Sequence, residues 1–137
     1  MSEQTTIKGD SGMSTDDDYL KLLKRFAGAW NAHDADALMS MMTDDCVFLT
    51  AMGRDPHGTE FRGRDAVRAA FQDVWRLFPD AQWLEDKHVV SGSRGFSEWT
   101  FHGTDLDGKR HVVRGIDLFT LRDGKIVVKD TFRKRPA

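Results

Sequence analysis

Apolar positions in this chain recur first with a helical spacing and later with the spacing of strands. In "STDDDYLKLLKRFAGAWNAHD", Leu20, Leu23, Ala27 and Trp30 fall at i, i+3, i+7 and i+10, one face of a helix. Ser14 and Thr15 stand three residues before Asp17 and Asp18, the spacing of a capping box. Asn31 and His33 break the pattern, and Asp34 can cap a second short helix carrying Leu38, Met41 and Met42. "TDDCVFLTAM" reads as a strand, and the Gly- and Pro-rich "GRDPHGTEFRG" as a loop. Residues 64–78 predict a third helix with Val67, Ala70, Phe71, Val74 and Phe78 on one face, ended by Pro79. From Gln82 onward the pattern predicts strands over 82–90, 94–104, 110–121 and 125–133. Their turns are "SGSR", "DLDG" and "RDG", the last two with the Asp-Gly signature of hairpins. Helices followed by an antiparallel meander predict an α+β fold, with the helices packed on one face of a curved sheet.

An antiparallel sheet wet on one face should alternate cleanly between apolar and polar residues. Residues 111–121 do not: odd positions carry Val113, Phe119 and Leu121, even ones Val112, Ile116 and Leu118. Along 94–104, Trp99 and Phe101 share one face and Phe96 lies on the other. Both faces are therefore expected to be covered, one by helices and the other by a second copy in a homodimer.

The length of 137 residues suits one domain. Residues 1–13, "MSEQTTIKGDSGM", are expected to be a flexible leader, and 14–137 the domain itself. A domain of this size buries about two thirds of its unfolded surface and needs neither disulfide nor metal to fold. Cys46 is the single cysteine and is expected to be a buried apolar residue. With no secretory signal and no run of 18 apolar residues, a cytoplasmic location without membrane contact is expected. The net charge of −2 gives no electrostatic case for nucleic acid, and the basic end "RKRPA" reads as a short solvated tail.

Within "RHVVRGIDLFTLRDGKIVV" the carboxylate of Asp117 interrupts an otherwise apolar strand. A carboxylate is among the side chains least often fully buried, and taking it out of water unpaired is costly. Parity puts Asp117 on a face with Val113, Gly115 and Phe119. A glycine inside a strand often marks close approach by a ligand or backbone. Two readings stand: Asp117 and Gly115 form the floor of a small cavity, or Asp117 accepts hydrogen bonds from backbone or Trp N–H and organises the fold. Thr50 shares a face with Phe48 and can reach a cavity or serve only as a β-former. His102, with Thr100 and Thr104, is an acid-base partner or an exposed hairpin-end residue. Asp130 lies near Lys129, Arg133 and Lys134 and reads as part of a surface ion pair at the sheet edge. No HExxH pair or metal-ligand spacing of His occurs, and GxSxG, GxGxxG and P-loop patterns are missing. No metal and no cofactor are expected; the chemistry in view is acid-base.

The order of elements and several strings are those of a known superfamily. A first helix ending in "AW", then "AHDADALMSMMTDDCVF", "FRGRDAVRAAF" and a closing "GIDLFTLRDGKIVV" resemble the nuclear transport factor 2-like superfamily. The match is nearest the SnoaL-like branch and covers roughly residues 17–133. The resemblance implies a cone: a curved antiparallel sheet wrapped around three helices, enclosing a hydrophobic cavity. It also implies dimerisation through the sheet. Its polyketide cyclases imply cofactor-free proton transfer by a pocket acid. Against ketosteroid isomerase, the protonated-acid position falls on Asp117, the base position on Thr50 and the tyrosine position on Phe26, so two of three roles are missing. The epoxide-hydrolase arginine position falls on Gly115. What the resemblance leaves is Asp117 in an aromatic cavity lined by Phe26, Trp30, Phe48, Phe71, Trp75 and Phe119. The leading expectation is a cyclase- or isomerase-type enzyme acting on a carbonyl-containing substrate, with Asp117 moving a proton and His102 or Thr50 orienting the substrate. The alternatives are a non-catalytic binder of a small hydrophobic ligand and a dimeric protein-interaction module.

Overall fold

The computed structural model describes residues 14–135. The expected leader at 1–13 and the last two residues of the basic end lie outside the described residues. Helix α1 (Asp16–Asn31) opens with a capping box: Thr15 Oγ1 accepts from the Asp18 N–H, and Asp18 accepts from the Thr15 N–H. Three acids in its first turn suit the positive end of the helix dipole. Its buried stripe is Tyr19, Leu22, Leu23, Phe26, Ala29 and Trp30, so Leu20 and Ala27 sit at the margin rather than the centre of the apolar face. Asp34 caps the six-residue helix α2 (Ala35–Ser40). Helix α3 (Arg64–Leu77) buries Val67, Ala70 and Phe71 and stops one residue before Phe78 and Pro79.

Six strands follow in the spatial order β2-β1-β6-β5-β4-β3. They are β1 (Met42–Leu49), β2 (Glu60–Arg62), β3 (Gln82–Ser91), β4 (Arg94–Thr104), β5 (Arg110–Arg122) and β6 (Lys125–Arg133). The sheet is mixed rather than antiparallel throughout, because β1 enters beside β6 in parallel. The short β2, inside the segment expected to be loop, pairs with Val47–Leu49. The Asp123-Gly124 turn has φ of 54° and 79° at its two central residues, the left-handed pair of a type I′ hairpin. The result is three helices against a curved, unclosed sheet, an α+β cone.

Pairing across β4 and β5 fixes the two faces. Ser97 lies opposite Asp117, Trp99 opposite Gly115, and Phe101 opposite Val113. Ser97, Trp99, Phe101, Asp117 and Phe119 are buried toward the helices. Phe26, Phe71 and Phe119 are fully enclosed there, in edge-to-face contacts at 6.3 and 5.8 Å. Cys46 is also fully buried, and that burial pushes its thiol pKa up. On the outer face Val89, Val112 and Phe132 are each about half exposed.

Besides a register shift between Met42 and Val47 in β1, two one-residue bulges interrupt this regularity. In β3, Leu84 pairs with Thr100 and Lys87 with Glu98, leaving Glu85 and Asp86 opposite the single residue Trp99. Glu85 takes φ of 57° there. In β6, Thr120 pairs with Val128 and Leu121 with Ile126, so Val127 is the extra residue. A one-residue insertion swaps the faces of everything beyond it. Trp83 and His88 consequently share the inner face despite opposite parity, as do Ile126 and Lys129.

Candidate functional site

Between the helices and the inner face of the sheet lies a cavity of about 400 Å³. Its walls are mainly apolar and aromatic, including Phe26, Trp30, Phe48, Trp83, Trp99 and Phe119. Aromatic walls with a few convergent polar groups are the usual make-up of a small-molecule site. Here the polar groups gather on the floor and rim: Asp86, His88, Ser97, Asp117, Lys129, Thr131 and Arg133.

Asp117 is 7% exposed, and three donors meet its carboxylate. Trp99 Nε1 donates to Oδ2 at 3.0 Å, Lys129 Nζ to Oδ1 at 3.1 Å, and Thr131 Oγ1 to Oδ1 at 2.6 Å. Lys129 also donates to Thr131 Oγ1 at 2.8 Å. The two readings open for Asp117 thus meet in one geometry, since it lines the cavity and also accepts from a tryptophan N–H. Buried ions persist when paired and hydrogen-bonded, and this pair is both.

Lys129 is the residue the sequence pattern hid. Its neighbours in sequence suggested a surface ion pair, yet it is 5% exposed. Its ammonium sits 4.6 Å from the Phe48 ring centroid, 5.1 Å from that of Trp30 and 5.8 Å from that of Phe71. A cation boxed by ring faces gains from each quadrupole, more so when water is excluded. The acid that follows Lys129 in β6, Asp130, points to the opposite face, where burial and the nearby Asp117 charge raise its pKa.

A second polar chain starts at the β3 bulge. His88, with a side chain 4% exposed, has Nδ1 2.7 Å from Ser97 Oγ and Nε2 2.6 Å from Asp86 Oδ2. Neither His88 nor Ser97 was singled out from the sequence. The signal that could have found them is "EDKH", where a charged run in a strand fits a bulge better than a regular ladder.

The other expected site residues divide. Phe26, Trp30, Phe48 and Phe119 line the cavity. Thr50 stands at its rim, with Oγ1 donating to the Met52 carbonyl and accepting from the Thr59 N–H. Phe71 and Trp75 are one layer back: Phe71 packs edge-on to Trp30 at 4.7 Å, and Trp75 stacks on His33 at 5.1 Å. Gly115 leaves no room for a ligand, contrary to expectation. A Cβ there would stand 2.3 Å from the Trp99 indole, so the missing side chain makes space for the ring that bonds Asp117. His102 is also not beside Asp117. It lies opposite Val112 on the outer face, with Arg110 Nη2 3.3 Å from its Nδ1, because 102 and 97 differ in parity on an unbulged strand. Trp83 belongs to the inner face, 5.0 Å from Trp30. Among the described residues no three His, Cys, Asp or Glu side chains are grouped to hold a metal ion, and no helix is long and apolar enough to cross a membrane.

Residues 23–129 match the profile of the SnoaL-like domain. No curated protein matches the sequence. Solved structures share the fold at low identity. A candidate polyketide cyclase from Xanthomonas campestris pv. campestris superposes with a TM-score of 0.78 at 22% identity, over 87% of this chain and 92% of that one. A nuclear transport factor 2-like protein of unknown function from Burkholderia pseudomallei K96243 gives 0.77 at 18%, over 89% and 92%. TerC, co-crystallised with polyporic acid, gives 0.74 at 17%, over 85% and 92%.

Proposed function

The chain belongs to the SnoaL-like domain family, and we propose that it is a cofactor-independent acid-base catalyst of the cyclase or isomerase type, acting on a small hydrophobic carbonyl compound. The observation that carries the reading is Asp117 on the floor of an aromatic cavity, held by three donors. Oδ1 accepts two of them and Oδ2 one, so Oδ2 keeps more lone-pair capacity for a substrate proton. Removing a proton next to a carbonyl puts negative charge on the carbonyl oxygen, and the Lys129 ammonium is the cation on the floor that can meet it. A positioned base contributes about 10²–10⁴ in rate, enough for an activated carbon acid. The fold relatives called candidate polyketide cyclases, and the one crystallised with polyporic acid, are in keeping with a small-molecule site.

A second reading is favoured by one specific contact. Lys129 neutralises Asp117 within the protein, which suits a non-catalytic binder of a small hydrophobic ligand. Exchange of the α-protons of 2-tetralone for deuterium, followed by NMR, separates the two. The catalytic reading expects exchange faster than buffer, falling about 100-fold or more in Asp117→Asn while the ketone lines still broaden. Broadening with exchange at the buffer rate in both proteins selects the binder.

The homodimer is proposed on the outer sheet face, where Val89, Val112 and Phe132 stand exposed. Light scattering should give twice the chain mass, and Val112→Glu should return it to one chain; a monomeric wild type ends this part of the reading.

A further inference from the structure

His88 joins an acid and a hydroxyl inside the cavity. Its Nε2 meets Asp86 Oδ2 at 2.6 Å and its Nδ1 meets Ser97 Oγ at 2.7 Å. An ionised carboxylate only accepts, so Asp86 requires the proton of a neutral His88 to sit on Nε2. Nδ1 is then a bare lone pair, and the hydrogen bond to it must come from the Ser97 hydroxyl. That is the proton order of an activated serine: acid orienting base, base withdrawing the hydroxyl proton. The two ring nitrogens are exchanged relative to the commoner arrangement, which leaves the proton path unchanged.

The fold supplies this arrangement at a visible expense. Without the bulge at Glu85 and Asp86, His88 would lie on the outer face with Leu84, away from Ser97. The bulge holds Glu85 at φ 57°, a conformation that side chains rarely adopt. Strain of this kind persists where surrounding structure imposes it, and it clusters at functional sites. His88 and Ser97 are buried from bulk water yet line the cavity, while the Asp86 side chain is about half exposed at its edge.

We propose that Ser97 is a nucleophile, activated by His88 and Asp86, for acyl transfer from small hydrophobic esters that enter the cavity. Ser97 Oγ attacks the ester carbonyl carbon as its proton passes to His88 Nδ1. The bond to the alcohol oxygen then breaks, and that oxygen leaves with the proton from His88. Water attacks the resulting acyl-Ser97, giving one proton to Nδ1; the acid is released and Ser97 Oγ recovers the proton. Each tetrahedral intermediate carries an oxyanion. Ser97 faces Asp117 across the β4–β5 pair, and the Lys129 ammonium cancels that carboxylate, so the oxyanion forms beside a neutralised floor rather than a bare anion.

Diisopropyl fluorophosphate tests the assignment directly. Attack by Ser97 Oγ on phosphorus expels fluoride and leaves one diisopropylphosphoryl group per chain. The expected result is a single adduct mapped to Ser97 by peptide mass spectrometry. Its rate should fall about 100-fold or more in His88→Gln, fall less in Asp86→Asn, and stay at the wild-type value in His102→Ala, on the outer face. p-Nitrophenyl butyrate should release a burst of one equivalent of nitrophenol in wild type and none in Ser97→Ala. An adduct on another residue, or wild type reacting no faster than Ser97→Ala, overturns the proposal. The site of the wild-type adduct decides without any variant needing to fold. Ketone exchange reads Asp117 and phosphorylation reads Ser97, so either reading can fail alone.

Discussion

Strands β5 and β6 lie side by side and each carries an ion on the cavity floor, yet they relate differently to their sequences. From Arg110 to Thr120, β5 is paired to β4 without a break, and counting by twos from Phe119 reaches Asp117 and Gly115. In β6 the same count from Ile126 reaches Val128 and Asp130, which face outward, because Val127 is an extra residue. Lys129, which a regular ladder would place in solvent, is delivered beside Asp117. β3 repeats the device, with Glu85 and Asp86 opposing Trp99 so that His88 turns inward. The regular strand supplies the acid, and the bulged strands supply the groups that surround it. Bulges are known to re-aim side chains next to active sites.

The sharpest way to break this comparison is to remove the buried cation. Lys129→Met leaves Asp117 enclosed without its ion partner and should cost about 3–5 kcal/mol by urea denaturation, whereas Lys125→Met, on the exposed side of the bulge, should change stability by less than about 0.5 kcal/mol. Gly115→Ala comes next. Its Cβ would overlap the Trp99 indole and displace the Nε1 donor from Asp117, at about 1–3 kcal/mol.

Acid titration gives a smaller effect that separates floor from surface. Asp45 is held down to about 2 chiefly by the Arg122 guanidinium, which donates to both of its oxygens. Asp80 is lowered chiefly by the Thr104 backbone N–H and hydroxyl, and Asp105 chiefly by the His111 hydrogen bond. Groups with depressed folded values stabilise above the unfolded carboxylate value of about 3.9, and that stability is lost as pH falls toward 2. Asp130 runs the other way. Burial raises it, so its contribution favours the fold at low pH and is lost as pH rises through the raised value. Urea midpoints against pH should therefore decline below about pH 4 less steeply in Asp45→Asn than in wild type. Asp130→Asn should be more stable than wild type at pH 7, and this advantage should vanish at pH 3. The smallest effect belongs to the β3 bulge: Glu85→Gly relieves a left-handed side chain and should stabilise by up to about 1 kcal/mol, while Glu85→Val should destabilise.

Most of the fold was legible because its elements are locally consistent. The Thr15–Asp18 box, Pro79 after α3 and the Asp-Gly turns each state a boundary that the structure keeps. Strands 94–104 and 125–133 match to the residue. Two topological facts were not legible. β1 runs parallel to β6 across most of the sequence, a pairing that no local pattern encodes, and β2 exists only because Val47–Leu49 offers it an edge. In the site, Asp117 stood out because a carboxylate in an apolar strand conflicts with its surroundings. Gly115 also stood out, but the space it opens holds the Trp99 ring. Lys129 reads as a surface ion-pair partner of Asp130 and His88 carries no signal of its own, because only the bulge reveals which face each takes. His102 failed for the converse reason: its strand has no bulge, so its parity is final.

The central claim is that the β6 bulge brings Lys129 to Asp117 and makes the two one coupled unit on the cavity floor. A double-mutant cycle with Asp117→Asn and Lys129→Met, read by urea denaturation, tests it most directly. The two losses should fall short of adding by about 1–3 kcal/mol, the double variant recovering much of what Lys129→Met loses. Losses that add to within about 0.5 kcal/mol would mean that the two side chains do not share a site.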